Sequence, residues 1–326
     1  MRIATFNLET LDLSAAADPP LADRLPVLRP QIERLEADIL CLQEVNAQPE
    51  TNRRHAERHF AALDALLDGT PYADFHRAAS ETRKRHNPLD VHNLVILSRW
   101  PIAETHQYWN DLVPAPRMQC VTAEPPADGP DEVFWDRPLL HVAIDPPGGA
   151  PLHVFNMHLR APLASAIRGQ KESAFVWKSV SGWAEGYHLA AVKRTGQALE
   201  ARIAIDRIFD GDPDAAIVVC GDMNAELREM PLRILCADAE ETGNGSLAAR
   251  SLIPVEARVP EETRYTVRHA GRRLLLDHIL ASRGLALRLD GVEIHNETLG
   301  DEVIGYAAVH HSPESYHAPV VASFRD

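Results

Sequence analysis

The chain has 326 residues, with 33 Lys and Arg against 47 Asp and Glu, for a formal charge of −14 with histidine neutral. That balance argues against a general nucleic-acid coater, whose affinity comes from excess positive charge, and no basic amphipathic helix marks a membrane-surface protein. Hydrophobic residues at 45% and charged residues at 25% describe a soluble globular chain and exclude disorder and fibres, while the length allows one large domain or two average ones.

Residues 3–8 open the chain as a strand-length apolar run, cut short by Glu9 and so too brief for a signal-peptide core. Residues 28–35 space their apolar side chains at three and four, as a helix does, and 39–45 is the next strand. A second helix is read at 55–67 and a strand at 94–98. The Pro-rich stretch 114–130 reads as a surface loop rather than a domain boundary. Runs 139–144 and 152–159 form a hairpin that turns at 145–149, a third helix covers 190–209, and strands at 216–220, 274–280 and 319–324 complete the series. Strands and helices interleave without strict βαβ alternation, which predicts an α/β fold with mixed sheets. No stretch approaches the roughly 18 apolar residues of a membrane span. Cys41, Cys120, Cys220 and Cys236 show no C-x-x-C spacing, and Cys41 and Cys220 sit in apolar runs as buried thiols do. A cytoplasmic chain with no membrane partner is expected.

The residues that end the strands are more informative, because catalytic groups of α/β sheets collect where strands give way to loops. Asn7 closes the first run, Glu44 the second and His158 the run 152–159. Asp222 and Asn224 follow 216–220, Asp277 and His278 interrupt 274–280, and His317 precedes the last strand. Each alone is more often a turn residue or a hydrogen-bonded histidine. Together they supply what metal-assisted attack of water on a phosphate ester needs. Mg²⁺ takes oxygen ligands and only one or two protein carboxylates, and Glu44, a charge at the end of a buried strand, is the first candidate. Asp277 and His317 are candidates for a carboxylate–histidine pair that stabilises charge on phosphorus or accepts a proton from water. Asn224 would donate to the scissile phosphate or fix the attacking water.

The segments Thr5-Phe-Asn-Leu8, Leu42-Gln-Glu44, Asn156-Met-His-Leu159, Gly221-Asp-Met-Asn224, Leu276-Asp-His-Ile-Leu280 and His317-Ala-Pro-Val320 resemble, in order, the motif series of the endonuclease/exonuclease/phosphatase superfamily. That group includes pancreatic-type deoxyribonuclease, apurinic/apyrimidinic endonucleases, neutral sphingomyelinases and inositol-polyphosphate 5-phosphatases. The run from His92 to Pro101, an apolar strand closing in Ser-Arg-x-Pro, adds to the resemblance. It implies a four-layer sandwich of two packed mixed sheets flanked by helices, in a single domain over 1–326. It implies Asn7 and Glu44 as metal-binding residues, for Mg²⁺ or alternatively Mn²⁺. Asp222 and Asn224 match the pair that orients or deprotonates the nucleophilic water and contacts the phosphate. Asp277 matches the acid that holds the catalytic histidine, His317 matches that histidine, and His158 matches one implied in protonating the leaving group.

One position departs from the pattern. Where the family has Ser-Asp-His, the chain reads Ser315-Tyr316-His317. A metal-side carboxylate is thus replaced by a phenol, a poor Mg²⁺ ligand at neutral pH because its pKa is near 10. Three outcomes follow: the ion rests on Glu44 with Asn7, Glu314 moves in, or metal affinity is reduced.

Local charge bears on the substrate. Arg77, Arg83, Lys84, Arg85 and Arg99 form one basic region, and the six arginines 264, 268, 272, 273, 283 and 288 another. Both read equally as solvated faces or as a phosphate-guiding rim, in which Arg272 and Arg273 precede the Asp277 strand. Arg160, just after His158, is a further phosphate contact. Residues 162–187 read as an insertion whose Phe175, Trp177, Trp183 and Tyr187 either stack on a base or pack into a helical hairpin. The expected partner is a phosphoester, as a short or damaged nucleic acid rather than a long duplex, since local arginines outweigh surface charge beyond a screening length of about 8–10 Å. A phosphomonoesterase acting on a small molecule or lipid headgroup is the alternative within the same chemistry. A binding domain that has lost its metal through Tyr316 is the alternative outside it. No protein partner follows from the sequence.

Overall fold

The computed structural model describes every residue except 15–16, 52–55, 85, 308–311 and 326. Two six-stranded sheets are built from β1 (Arg2–Leu11), β2 (Ile39–Val45), β3 (His76–Ala79), β4 (Asn93–Ser98), β5 (Ile102–Tyr108), β6 (Leu139–Ile144), β7 (Leu152–His158), β8 (Ala216–Asp222), β9 (Leu252–Pro254), β10 (Asp277–Ser282), β11 (Leu289–Ile294) and β12 (Val320–Phe324). The first sheet has the order β11-β12-β1-β2-β4-β3 and the second β9-β10-β8-β7-β6-β5. Each has one parallel pair at its centre, β1 with β2 and β7 with β8, and antiparallel neighbours outside it.

The central strands are buried on both faces, so their sequences read as continuous apolar runs. One set of faces meets between the sheets: Ile3, Ile39 and Ile96 pack with Val142, Val154, Val218 and Ile279. The other faces carry helices. Phe6, Leu40 and Leu42 lie under α1 (Leu21–Arg34) and α2 (Ala61–Leu67). Phe155, Ile217 and Val219 lie under α3 (Val180–Gly211) and α4 (Met230–Cys236). Helices, sheet, sheet and helices give four layers, as the resemblance implies. None of the described helices is long and apolar enough to cross a membrane.

The unanticipated strands, β3, β5, β9 and β11, are the four sheet edges. An edge strand keeps one side in water, so β5 carries Glu104, Thr105 and His106 and no apolar run marks it. α1 starts at Leu21 rather than 28, its first turns hidden by Pro26 and Pro30 inside the helix. α2 covers only Ala61–Leu67, since Arg58–His59 pairs with Gln48–Pro49, and His55 lies outside the described residues, as does Arg85. The run 274–280 divides: Arg272–Leu274 closes a hairpin with Val267–His269, and β10 begins at Asp277. Residues 162–187 do not form one unit. The chain is irregular apart from a Lys171–Trp177 bridge until α3 begins at Val180, so Trp183 and Tyr187 belong to that helix. Their rings stack at 5.5 Å on its exposed face, and Phe175 is exposed as well, so no helical hairpin buries these aromatics.

Candidate active site

The two parallel pairs end together. Asn7 on β1 and Glu44 on β2 meet His158 on β7 and Asp222 on β8, so one sheet delivers its strand ends onto those of the other. Beneath them a buried amide network fixes this register. Gln43 Nε2 donates to Asn156 Oδ1 at 2.7 Å and to Thr5 Oγ1 at 3.0 Å, while Asn156 Nδ2 donates to the carbonyls of Leu42 and Val95. In a low-dielectric interior each of these groups needs its partner, so the network specifies one alignment of the sheets.

Glu44 has φ 58°, in a bulge where β2 slips register against β4. A non-glycine residue in this left-handed region costs about 1–2 kcal/mol, and the bend turns the carboxylate back over the strand ends. β1 does the same: Glu9 (φ 48°) and Thr10 (φ 54°) follow Asn7 in left-handed conformation. There Thr10 N–H and Oγ1 donate to Glu44 Oε2 at 3.0 and 3.1 Å, and Asn7 Nδ2 donates to Oε1 at 3.3 Å. His92 Nδ1 lies 3.4 Å from Oε2. Burial pushes the Glu44 carboxyl up, but the His92 contact and the nearby His158 and His317 rings outweigh it and hold Glu44 well below the usual range. It is ionised.

Asp222 is fully buried and accepts from Asn7 Nδ2 at 3.0 Å, Asn224 N–H at 2.8 Å and Asn224 Nδ2 at 3.1 Å. Burial and the neighbouring Asp277 charge push its carboxyl up to about 7. Gly221 before it has φ 140°, and a Cβ there would overlap the Met157 carbonyl oxygen on β7. Only glycine lets β7 and β8 run this close at the site. Asn224 also donates to the Leu159 carbonyl at 3.1 Å.

Asp277 opens β10, its N–H donating to Thr266 Oγ1, and its Oδ2 lies 2.9 Å from His317 Nδ1. Burial would push the His317 ring down, but the charges of Asp277 and Asp222 and the hydrogen bond to Asp277 outweigh it and hold it well above the usual histidine range. His158 behaves oppositely. Its Nε2 lies 3.4 Å from Asp222 Oδ2 and 3.7 Å from Glu44 Oε1, yet burial, reinforced by Arg137, keeps it well below the usual range and therefore neutral. His278 Nε2 bonds to the Ala225 carbonyl at 2.8 Å and ties β10 to the loop after Asp222.

All seven expected residues, Asn7, Glu44, His158, Asp222, Asn224, Asp277 and His317, thus share one cluster. Asn7, expected to ligate through oxygen, presents its NH₂ to the two carboxylates while Oδ1 accepts from Glu9 N–H at 2.8 Å. The expected arginines divide. Arg160 reaches Asp136 at 2.6 Å, leaving its Nε buried and unpartnered among the described residues. Arg273 instead donates to the Glu262 carbonyl at 2.6 Å and covers the Tyr265 ring at 4.9 Å, and Arg272 is exposed on the same hairpin, whose Val267 pairs with His317. Two residues were not anticipated. His92 (φ 57°) lies just before β4 instead of ending a strand, and its ring packs edge-on to His158 at 6.2 Å. Arg137 sits in irregular chain before β6, where burial lowers its guanidinium's pKa and the charges of Glu44 and Asp222 act on it. Nothing in the local sequence marks either residue.

The description Endonuclease/Exonuclease/phosphatase family belongs to a family model that matches residues 4–300. The chain belongs to this family. Its members are divalent-metal-dependent phosphoester hydrolases. Among solved structures the chain is similar to a mannosyl-6-phosphatase of Bacteroides thetaiotaomicron, with a TM-score of 0.58 at 15% identity over 100% of both chains. It is also similar to a 3′ phosphatase from Neisseria bound to a product DNA hairpin (TM-score 0.53, 18% identity, 100% of both chains). An AP endonuclease from Archaeoglobus fulgidus gives a TM-score of 0.51 at 18% identity, again over 100% of both chains. At such identities the likeness is one of fold. No curated protein sequence matches the chain.

Proposed function

We propose that this family member is a phosphodiesterase in which water, activated beside Asp222, attacks the phosphorus of a short or damaged nucleic acid or a comparable diester. The observation that carries the reading is the convergence of three groups at the strand ends: Glu44 held by Thr10 and Asn7, Asp222 held by Asn7 and Asn224, and the Asp277–His317 pair at 2.9 Å, with Glu44 held low, His317 held high and Asp222 pushed up to about 7. Water attack needs these three states together, a metal-side carboxylate, a cation for the phosphoryl charge and a base near the working pH.

The donors fit a hard divalent ion, Mg²⁺ in the first instance and Mn²⁺ as its substitute, because they are oxygens rather than thiolates. Glu44 would hold it, and Asn7 would join through its amide oxygen if the amide turned over. Asp222, Asp277 and His317 also offer ligand atoms within 4.8 Å of one another. There an ion competes with the proton that His317 retains, so Glu44 is the better anchor. Once bound, the ion polarises a phosphoryl oxygen. The chain's own groups do the rest. Asp222 takes the proton of water, Asn224 orients it, and His317, kept charged by Asp277, faces the charge that grows on phosphorus. His158 is neutral, so its ring N–H would hydrogen-bond a phosphoryl oxygen, and the leaving oxygen would take its proton from the His317 imidazolium. Arg160, with Arg137, lines the approach. A cavity of about 820 Å³, lined by Phe134, Trp135, Asp136, Arg168 and Lys193, adjoins Arg160 through Asp136. Such a volume suits a second ester group better than a bare monoester.

Hydrolysis of bis(p-nitrophenyl) phosphate with Mg²⁺ or Mn²⁺ tests this. Glu44→Gln and His317→Ala should each lower kcat by about a hundredfold or more. No turnover of any phosphoester with any divalent ion would overturn the enzyme reading. A preference for p-nitrophenyl phosphate over the diester would move the assignment to a phosphomonoesterase.

A further inference from the structure

Glu200 lies in the C-terminal half of α3, fully buried, and takes no part in the chemistry proposed above. A carboxylate taken out of water is held only where donors satisfy its oxygens. Trp135 Nε1 and the Asn110 N–H donate to Glu200 Oε2 at 2.7 and 3.0 Å, and the Leu112 and Val113 N–H groups donate to Oε1 at 2.9 and 3.4 Å. Two separate segments, one after β5 and one before β6, are therefore gathered on a single side chain. They also hold each other. Asn110 Oδ1 accepts the Trp135 N–H at 3.3 Å, and Trp109 Nε1 donates to the Trp135 carbonyl at 2.9 Å.

The same face of α3 grips the two residues that follow Trp135. Lys193, Gly196, Gln197 and Glu200 fall at i, i+3, i+4 and i+7, the spacing of one helix face. Lys193 Nζ donates to Asp136 Oδ1 at 2.6 Å, and Gln197 Nε2 donates to the Arg137 carbonyl at 3.0 Å. A Cβ on Gly196 would overlap the Trp135 ring, so helix and ring are in direct contact. With its indole N–H bonded to Glu200 and its ring against Gly196, Trp135 has one place to sit, and Asp136 and Arg137 are aimed by that placement. Asp136 in turn holds Arg160 at 2.6 Å, while the Arg137 charge acts on His158 and is acted on by Glu44 and Asp222.

We infer that Glu200 is a positioning residue for the phosphate-facing arginines: through the Trp135 indole it sets Arg137 and, by way of Asp136, Arg160. This rests on the role proposed for those two arginines. Turnover of bis(p-nitrophenyl) phosphate with Mn²⁺, paired with binding of inorganic phosphate read from its ³¹P signal, tests it. Glu200→Gln turns an NH₂ toward groups that are themselves donors. It should raise KM, lower kcat/KM by about tenfold or more and weaken phosphate binding, in protein that is still folded at the assay temperature. On an Arg137→Met, Arg160→Met background the same substitution should have no further effect, since its loss runs through those side chains. Full kcat/KM in folded Glu200→Gln, or an undiminished loss on the arginine-free background, overturns the inference. Wild-type activity of that background overturns the role of the arginines and the inference with it. Arginine-dependent phosphate binding without turnover overturns the phosphodiesterase reading alone, and phosphate binding then decides the role of Glu200. Should Glu200→Gln fail to fold, Trp135→Phe removes the indole N–H and keeps an aromatic ring: a comparable fall in kcat/KM supports the inference and an unchanged value overturns it.

Discussion

Asp277 Oδ2 lies 2.9 Å from His317 Nδ1, whereas Asp277 Oδ1, equally buried, has no partner among the described residues. One oxygen of the acid is therefore committed to the imidazole. The other is an acceptor in waiting, costly to bury in an interior where an unsatisfied charge is not screened.

The pair makes stability depend on pH in a defined direction. His317 is held above its unfolded value of about 6.5, so its contribution is complete below that pH and is lost as pH rises through the folded value. Asp277→Asn should cost about 3 kcal/mol at pH 6, and the gap to wild type should narrow at alkaline pH. Urea unfolding across a pH series checks this, and a gap independent of pH would contradict the charged pair.

Asp222 changes stability with pH in the same direction, but as a penalty rather than a contribution. Its carboxyl, pushed up to about 7, keeps a proton that the unfolded chain releases near pH 3.9. In metal-free protein this group therefore destabilises the fold progressively as pH rises between those values. Asp222→Asn should raise the metal-free Tm at pH 8 by a few degrees while lowering kcat by about a hundredfold or more. A lower Tm in the variant at pH 8 would show that Asp222 is not a strained base.

Gly221→Ala should be severe, because it combines φ 140° with overlap of the Met157 carbonyl. A loss of about 3 kcal/mol or more in denaturant unfolding is expected. Its crystal structure should show β7 and β8 parted at His158 and Asp222. Stability within 1 kcal/mol of wild type (about the size of an ordinary substitution) would mean that the strands adjust freely there.

The central strands and the seven clustered residues were legible because a doubly buried strand writes an uninterrupted apolar run, and a polar residue that ends it stands out. The edge strands were not, since one face of each meets water. His92 and Arg137 were hidden for another reason. Their place in the site depends on backbone bends and on burial of an irregular segment, neither of which has a local signature. Arg272 and Arg273 stand exposed on the hairpin before Asp277, and Arg273 is taken up by the Glu262 carbonyl and the Tyr265 ring, partners that nearness in sequence does not announce. The phenol of Tyr316 is received by Gly305, where a Cβ would overlap its hydroxyl oxygen, a contact that only the folded chain creates.

Arg194, in the middle of α3, donates to the Arg160 carbonyl at 2.7 Å and to the Asn224 carbonyl at 2.9 Å. A helix of 32 residues is a rod about 48 Å long, and its exposed end carries the stacked Trp183 and Tyr187 rings. Any tilt of that rod moves the loops behind β7 and β8 in step. Tyr187 lines one cavity with Arg194, so the stacked rings, Asn224 and Arg160 are all joined through a single guanidinium.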